Sequence, residues 1–376
     1  MDRFIKFPGK DRLFAFRKAE EVTGLSEAII EKDFWVCWIL KELFQLDGIK
    51  DNLTFKGGTS LSKVYKVIDR FSEDIDISVE RAFLGFKDDR DPANVGPKQA
   101  KRLIEDLGVE CQKFVRGDLY NQLESIIKSK LGSSGWMLEI DEDDNDGQTI
   151  LFTYPKLTTK ASEYIRPVVK IELGARSDHW PVSMQKISPY VAEILPSPLN
   201  EMVAEIRVLN IERTFWEKAT ILHKYAHYPD EKTVPERQSR HFFDFYCLLN
   251  SHGKMKALEN IDLLQKVAAH KNLYFKAAWA NYLTAKQGSL KLIPQDKVMK
   301  AMEADYKAMS EMFPGNVPNW HEIVSLIHLF EKDFNASTLI LSERDFEKVM
   351  KTIENPSEPN EKLEEVFKKH SKGKDE

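Results

Sequence analysis

The segment at residues 74–79 constrains the fold most strongly, because polar and branched apolar side chains alternate along it in the order Asp74, Ile75, Asp76, Ile77, Ser78 and Val79. A period of two is typical of a β-strand with one buried face. The alternation places both carboxylates on the opposite face. Like charges there repel, and a divalent cation that neutralises them would stabilise the pair. Hard oxygen ligands suit Mg²⁺; the alternative is a solvated strand edge.

A short strand, a glycine pair and a helix precede this segment. We predict a strand at residues 53–56 and a helix at 59–68, with Gly57 and Gly58 between them. Glycine lets the backbone approach a ligand closely, and the free N–H groups at a helix N-terminus favour an anion such as a phosphate. Ser60 adds a hydroxyl donor. The same sequence also fits a tight turn without a ligand.

A third carboxylate follows later in the chain. Residues 168–173 alternate in the same way, with apolar side chains on one face and Lys170 and Glu172 on the other. If this strand lies beside the strand of Asp74 and Asp76, Glu172 can join a metal cluster. The alternative is an ordinary salt bridge between Lys170 and Glu172.

Composition limits the class of protein. The chain has 376 residues, a formal net charge of -5 and 42% hydrophobic residues, which indicates a soluble globular protein. No apolar run approaches the ~20 residues of a membrane span, so we expect no membrane association. Three scattered cysteines fit a reducing cytoplasm. Because the net charge is negative, any nucleic-acid binding requires a local basic patch.

Strand and helix patterns divide the chain into two parts. Residues 1–205 combine predicted helices, at 18–46 and 98–130, with several short strands. From residue 210 onward the helical period dominates. We therefore predict an α+β protein of two lobes, with a mixed sheet and flanking helices at 1–205 and an all-helical lobe at 206–376.

Two other patterns suggest metal sites but lack required residues. The acidic run at 141–147 has no glycine at the sixth position of an EF-hand loop, and Phe152 stands at the twelfth, so we predict a hairpin turn. His223 and His227 are four residues apart on a helix, but Lys224 replaces the glutamate of a zinc-protease motif. Histidines with protein partners, or facing RNA, are the better interpretation.

Several motifs together resemble a known family. The sequence Gly-Gly-Thr-Ser-Leu-Ser-Lys at 57–63, followed by Arg-Phe-Ser-Glu-Asp-Ile-Asp at 70–76, resembles the signature of the AbiEii/AbiGii nucleotidyltransferase toxins, in the polymerase-β-like nucleotidyltransferase superfamily. Further matches occur in family order at 31–36, 170–173, 212–218 and 240–244. The resemblance implies a nucleotidyltransferase-type sheet, with the active site between the two lobes.

The resemblance also implies a reaction and its residues. The reaction is transfer of a nucleoside monophosphate from an NTP to an acceptor hydroxyl, with Mg²⁺ or Mn²⁺ as cofactor and pyrophosphate as product. The implied catalytic residues are Asp74, Asp76, Lys218 and Asp244. The implied nucleotide-binding residues are Gly57, Gly58, Thr59, Ser60, Ser72, Lys218 and Arg240. The implied metal ligands are Asp74, Asp76 and Glu172.

The residues of the C-terminal part have simpler alternatives. Lys218 lies at the edge of the apolar stripe of its helix, from which it could reach phosphates in a cleft, but lysines mostly lie on the surface. Arg240 and Asp244 are four residues apart on the next helix and could form a structural ion pair. In the family context, Asp244 orients Lys218 or the nucleotide, and Arg240 contacts phosphate.

The resemblance implies a toxin of a toxin–antitoxin or phage-defence pair that acts by abortive infection, and hence a cognate antitoxin as partner. We expect an RNA acceptor, the 3′ end of a tRNA, as in related toxins. A basic tract on one predicted helix supports this expectation: Lys98, Lys101, Arg102, Lys113 and Arg116. A second tract comprises Arg207, Arg213, Lys218, Lys224, Arg237 and Arg240. Two alternatives stay open, a transferase that modifies a protein hydroxyl and a nucleotide-binding protein without turnover.

Overall fold

The computed structural model describes residues 1–70, 72, 74–158, 165–195, 202–309 and 317–336, with four isolated positions at 347, 350, 351 and 354. The chain divides into a compact unit at Met1–Asn335 and a second at Ala336–Glu376. All predicted site residues belong to the first unit. The predicted boundary near residue 205 lies within that unit and stays a prediction. Phe71 and Glu73 of the predicted signature, and most of the predicted helical lobe beyond 336, lie outside the described residues.

The described residues contain seven strands. They are β1 Leu53–Lys56, β2 Ile75–Val79, β3 Met137–Ile140, β4 Thr149–Thr153, β5 Val168–Gly174, β6 Val182–Ile187 and β7 Ala204–Leu209. These strands form one mixed sheet in the order β3-β4-β5-β2-β1-β7-β6. The strands predicted at 53–56, 74–79 and 168–173 are confirmed.

Strand β2 occupies the centre of the sheet and sets the geometry of the site. It runs antiparallel to β1, with Lys56 opposite Asp76, and parallel to β5, with Glu172 opposite Asp76. Ile75 and Ile77 are buried on the other face of β2. The period of two in the sequence therefore separates an apolar face from a face that carries carboxylates.

Thirteen helices occur in the described residues. They are α1 Asp2–Ile5, α2 Gly9–Thr23, α3 Glu27–Leu43, α4 Gly57–Lys63, α5 Pro97–Phe114, α6 Tyr120–Leu131, α7 Tyr190–Ile194, α8 Ile211–Ala226, α9 Arg240–Leu249, α10 His252–Glu259, α11 Asp262–Tyr274, α12 Asp296–Ala308 and α13 Trp320–Asn335. Single 3₁₀ turns lie at Lys50–Asn52, Asp88–Arg90, Pro92–Asn94, Ala278–Ala280 and Tyr282–Thr284, and a π-helical turn, Val115–Leu119, joins α5 to α6. None of the helices within the described ranges is long and apolar enough to cross a membrane.

Two predicted helices differ from those observed. The helix predicted at 18–46 is two helices, because Gly24 adopts a left-handed φ of 73° and ends α2. Ser26 caps α3, and its hydroxyl accepts a hydrogen bond from the Ile29 N–H at 3.4 Å. The helix predicted at 59–68 ends at Lys63, and Lys66 adopts a φ of 52°.

Two hydrophobic clusters fill the first unit. In one, α3 packs on the sheet, and Trp35 and Trp38 each place a ring 5.9 Å from Phe152 of β4. In the other, the helices after residue 210 pack on each other, with Phe215 4.9 Å from Phe245, centroid to centroid. The predicted α+β class is confirmed.

A carboxylate on α12 fixes the start of α9. Asp305 accepts hydrogen bonds from the N–H of Arg237 at 2.6 Å, and from the N–H and hydroxyl of Ser239 at 2.8 and 2.6 Å. A carboxylate at this position satisfies free N–H groups and complements the helix dipole. Because α9 carries Arg240 and Asp244, the helices after residue 255 support two of the predicted site residues.

Candidate active site

The turn between β1 and α4 packs directly against the carboxylate of Asp76. Gly57 has a φ of 80°, and a Cβ at this position would overlap the Asp76 carboxylate. A Cβ at Gly58 would lie 2.6 Å from the Nη2 of Arg70. Glycine is therefore required at 57 for its backbone conformation and at both positions for the close approach of a charged side chain.

Hydroxyl groups brace this turn from within. Thr59 donates its proton to the backbone carbonyl of Asp74 at 2.6 Å, so Ser72 must donate to Thr59 across their 2.9 Å contact. The Ser60 hydroxyl donates to the carbonyl of Gly57 at 2.8 Å. Thr59 and Ser60 are buried. All three hydroxyl protons are thus used in hydrogen bonds that hold the turn. The donors that the turn offers to a ligand are therefore backbone N–H groups.

Asp76 and Glu172 form a pair of like charges on neighbouring strands. Burial raises the pKa of Asp76, and the charge of Glu172 raises it further, while Lys56, Arg240 and Lys218 oppose the change. Glu172 is 42% exposed and pairs with Lys170 at 2.9 Å. The structure thus brings Glu172 beside Asp76, as predicted. It also contains the salt bridge between Lys170 and Glu172 that the sequence left as an alternative.

Asp74 immediately precedes β2 and is half-buried. Within the described ranges, no group of three or more histidine, cysteine, aspartate or glutamate side chains has a geometry that could hold a metal ion. The assignment of Asp74, Asp76 and Glu172 as a set of metal ligands therefore stays a prediction.

Asp244 joins the turn region to α8. Its two carboxylate oxygens accept from the Nε and Nη2 of Arg70 at 2.6 and 2.9 Å. One of them also accepts from the Nζ of Lys218 at 2.7 Å. Asp244 is fully buried, and Arg70 and Lys218 are 4% and 7% exposed. Lys218 is therefore not a surface lysine, and Asp244 orients it directly.

Asp244, Arg70 and Lys218 form a trio in which the pKa of Asp244 and the pKa of Lys218 each depend on the charges of the other two residues. Burial raises the pKa of the Asp244 carboxyl, but the charges of Arg70 and Lys218 outweigh it and hold that pKa well below its usual range. Burial also lowers the pKa of Lys218, and the charge of Arg70 lowers it further, while Asp244 opposes both. A buried charge of this kind is stable only while its partners remain in place.

Arg70 is a site residue for which the sequence predicted no role. It lies within the matched signature, immediately before Phe71, but its partner is 174 positions away in the chain. The proposed ion pair between Arg240 and Asp244 is replaced by the pairing of Asp244 with Arg70. Arg240 is half-buried, has no ion-pair partner among the described residues, and acts through its charge on the pKa of Asp76.

His241 completes the surroundings of Lys218. Its Nδ1 lies 3.1 Å from the Nζ of Lys218. Burial lowers the pKa of His241 well below its usual range, and the charges of Lys218 and Arg240 lower it further. The imidazole is therefore neutral near pH 7.

The histidines of α8 have protein partners. The Nε2 of His223 lies 3.1 Å from the Asn281 carbonyl, and its Nδ1 accepts from the N–H of Lys291 at 3.1 Å. Burial, with the charge of His227, lowers the pKa of His223 to about 4. These contacts agree with the interpretation of His223 as a histidine with protein partners rather than a zinc ligand.

Comparisons with known proteins agree with the motifs. The family model of the nucleotidyl transferase AbiEii toxin, of type IV toxin–antitoxin systems, matches residues 38–348, which include every predicted site residue. Among solved structures, the nucleotidyltransferase toxin MenT4 from Mycobacterium tuberculosis H37Rv is similar, with 14% identity, a TM-score of 0.41 and coverage of 85% of this chain and 96% of that chain. No curated protein sequence matches the chain.

The geometry of the turn predicts a specific effect of Gly57→Ala. Gly24 has a comparable φ of 73° but open space around it, so Gly24→Ala is a matched control. Both substitutions force alanine into the left-handed region at a cost of about 1–2 kcal/mol. Only Gly57→Ala must also displace the Asp76 carboxylate. We expect both variants to fold in urea titrations, with Gly24→Ala active and Gly57→Ala inactive in nucleotidyl transfer. Equal activities would contradict the assignment of the turn to the site.

Proposed function

This chain belongs to the family of AbiEii nucleotidyl transferase toxins of type IV toxin–antitoxin systems, and we propose that it transfers a nucleoside monophosphate from an NTP to the 3′ end of a tRNA. As a member of this family it is an enzyme, so the alternative of a nucleotide-binding protein without turnover is excluded. The observation that carries the proposal is the convergence of Asp76, the Gly57 turn and the Asp244-bound Lys218. We place this site between a lobe at 1–205 and a lobe at 206–376.

The turn provides the anion-binding part of the proposed site. Gly57 and Gly58 begin α4. At this end of the helix, their backbone N–H groups and the helix dipole favour a phosphate. Thr59 and Ser72 hold this backbone through the hydrogen bond between them, and Ser60 holds it through its hydrogen bond to the carbonyl of Gly57. Arg240, whose charge has no ion-pair partner among the described residues, adds a contact to the phosphates.

The carboxylate oxygens of Asp74, Asp76 and Glu172 are donors of the kind that Mg²⁺ or Mn²⁺ prefers. Asp76 and Glu172 are opposed in register, and the charge of Glu172 makes ionisation of Asp76 less favourable. A hard divalent cation relieves this repulsion, and Asp74 supplies a further oxygen. When bound, the ion neutralises phosphate charge and lowers the pKa of the attacking hydroxyl. Asp74, Asp76 and Glu172 are thus the proposed ligands.

Lys218 and Asp244 provide the remaining catalytic groups. The ammonium of Lys218 neutralises charge that develops on the phosphates during transfer. Asp244 fixes the direction of Lys218 through the 2.7 Å hydrogen bond, and Arg70 holds Asp244 from the other side. Preorganisation of this kind removes the reorganisation that free side chains would need.

Exposed basic residues support an RNA acceptor. Lys98, Lys101, Arg102 and Lys113 are exposed on α5, where they can contact a phosphate backbone. The second basic tract is less suitable, because Arg213 is 1% exposed and pairs with Asp178 at 3.0 Å. The remaining parts of the proposal are a cognate antitoxin as partner, a role in phage defence by abortive infection, and a cytoplasmic location.

The metal assignment predicts that Asp76→Asn abolishes transfer of label from an α-³²P-labelled NTP to total cellular RNA. The same variant should keep or raise the melting temperature, because it removes one of two repelling charges. In thermal-shift titrations, Mg²⁺ should raise the melting temperature of the unchanged protein but not that of Asp76→Asn. Asp47→Asn, at an exposed position, is the control and should behave as the unchanged protein. Full activity of Asp76→Asn with Mg²⁺ would show that the assignment is wrong.

The RNA acceptor predicts a salt-dependent interaction. Reversing two charges in Lys101→Glu/Arg102→Glu should weaken RNA binding and reduce the slope of log K against log[salt] by about two. NTP binding should not change, because it depends on the turn around Gly57. The control Lys297→Glu/Lys300→Glu changes the net charge equally at exposed positions of α12. An unchanged salt slope would place the RNA elsewhere, and label found only in protein would support the protein acceptor instead.

A further inference from the structure

Two side chains of α9 hold Lys218 from the same side. The Nζ of Lys218 donates to Asp244 at 2.7 Å and lies 3.1 Å from the Nδ1 of His241. Residues three positions apart share one face of a helix, so both groups approach Lys218 together. A lysine ammonium has three N–H donors and no acceptor. His241 must therefore accept through Nδ1, and its ring proton lies on Nε2.

The surroundings keep His241 in this accepting form. Among the described residues, the charged groups that act most strongly on the pKa of His241 are Lys218, Arg240, Asp244 and Arg70, and of these four Asp244 is negative. Protonation of His241 would add a fourth positive charge beside one carboxylate. A neutral acceptor is the only form of the ring that attracts the ammonium of Lys218.

We propose that His241 is a positioning residue that, together with Asp244, engages two of the three N–H groups of Lys218 and leaves the third directed at the phosphates of the nucleotide. The proposal rests on the proposed function of Lys218. Without an acceptor at position 241, the ammonium keeps Asp244 as its one anchor and can rotate about that hydrogen bond. Arg70 and Arg240 repel it in the same region. A misdirected charge stabilises the transition state less than a fixed one.

Three substitutions separate positioning from packing. In His241→Asn the side-chain oxygen takes the place of Nδ1, at the same distance from the backbone, and can accept from Lys218. In His241→Gln the amide lies farther from the backbone, near the place of Nε2. In His241→Leu there is no acceptor. His227→Leu is the control, because His227 is a half-buried histidine of the same protein whose Nδ1 lies 2.9 Å from the His223 carbonyl.

In assays of nucleotidyl transfer, we expect His241→Leu and His241→Gln to lower kcat by about 10- to 100-fold, with the KM for NTP changed less than about threefold, because the lost contact acts in the transition state. His241→Asn should retain kcat within about threefold, and His227→Leu should match the unchanged protein. Equal losses in His241→Asn and His241→Leu would reduce His241 to a packing role and overturn the proposal.

A measurement without turnover distinguishes this proposal from the proposed function. The pKa of Lys218 can be followed by NMR of ¹³Cε-labelled lysine, with the signal assigned in Lys218→Met. Loss of the acceptor destabilises the ammonium, so the pKa of Lys218 should fall by about one unit in His241→Leu and remain unchanged in His241→Asn. Asp76 on β2 and Lys271 on α11 also interact electrostatically with Lys218, and no variant changes them.

The two measurements together decide between the possibilities. A lowered pKa of Lys218 in His241→Leu, in a protein that transfers no label, would support the contact and contradict the proposed function. An unchanged pKa together with an unchanged kcat in His241→Leu would overturn the role of His241 and leave nucleotidyl transfer intact.

Discussion

The buried carboxylate of Asp244 is the interaction on which the site depends. It binds Arg70, which packs against Gly58, and Lys218, which comes from α8. Removing one partner of a buried ion pair costs about 3–5 kcal/mol, because a charge is then left without compensation. The trio therefore joins segments that are far apart in sequence, and within it the charge of Asp244 opposes the lowering of the Lys218 pKa by burial and by Arg70.

The other residues of the site are held in position by close packing around this trio and the turn between β1 and α4. Gly57 lets the carboxylate of Asp76 lie against the backbone, and the hydrogen bond between Thr59 and Ser72 helps to hold the turn in that conformation. The sheet then places Glu172 opposite Asp76. The like-charged pair of Asp76 and Glu172 is the place where a divalent cation is proposed. Arg70, Lys218 and Arg240, whose charges act on one another, are the place where phosphates are proposed.

Local sequence patterns were sufficient for part of this structure. The alternation around Asp76 and Glu172 predicted two strands with carboxylates on one face, and the structure confirms them as neighbours. The pairing of Arg70 with Asp244 could not be predicted, because a spacing of 174 residues leaves no periodic signal. Local spacing favoured Arg240 as the partner of Asp244, since four residues separate them on one helix. Tertiary packing overrides that choice, because it buries Arg70 where both of its parallel donors reach Asp244, whereas Arg240 is only half-buried.

The most direct test of this account is a double-mutant cycle between Arg70→Met and Asp244→Asn, measured as kcat/KM for nucleotidyl transfer, with folding confirmed by urea titration. If the two residues act through their shared ion pair, each single variant has a lower kcat/KM. The double variant then loses no more activity than the less active of the two single variants. If the losses multiply, Arg70 and Asp244 act independently. The site would then not depend on the carboxylate that joins Arg70 to Lys218.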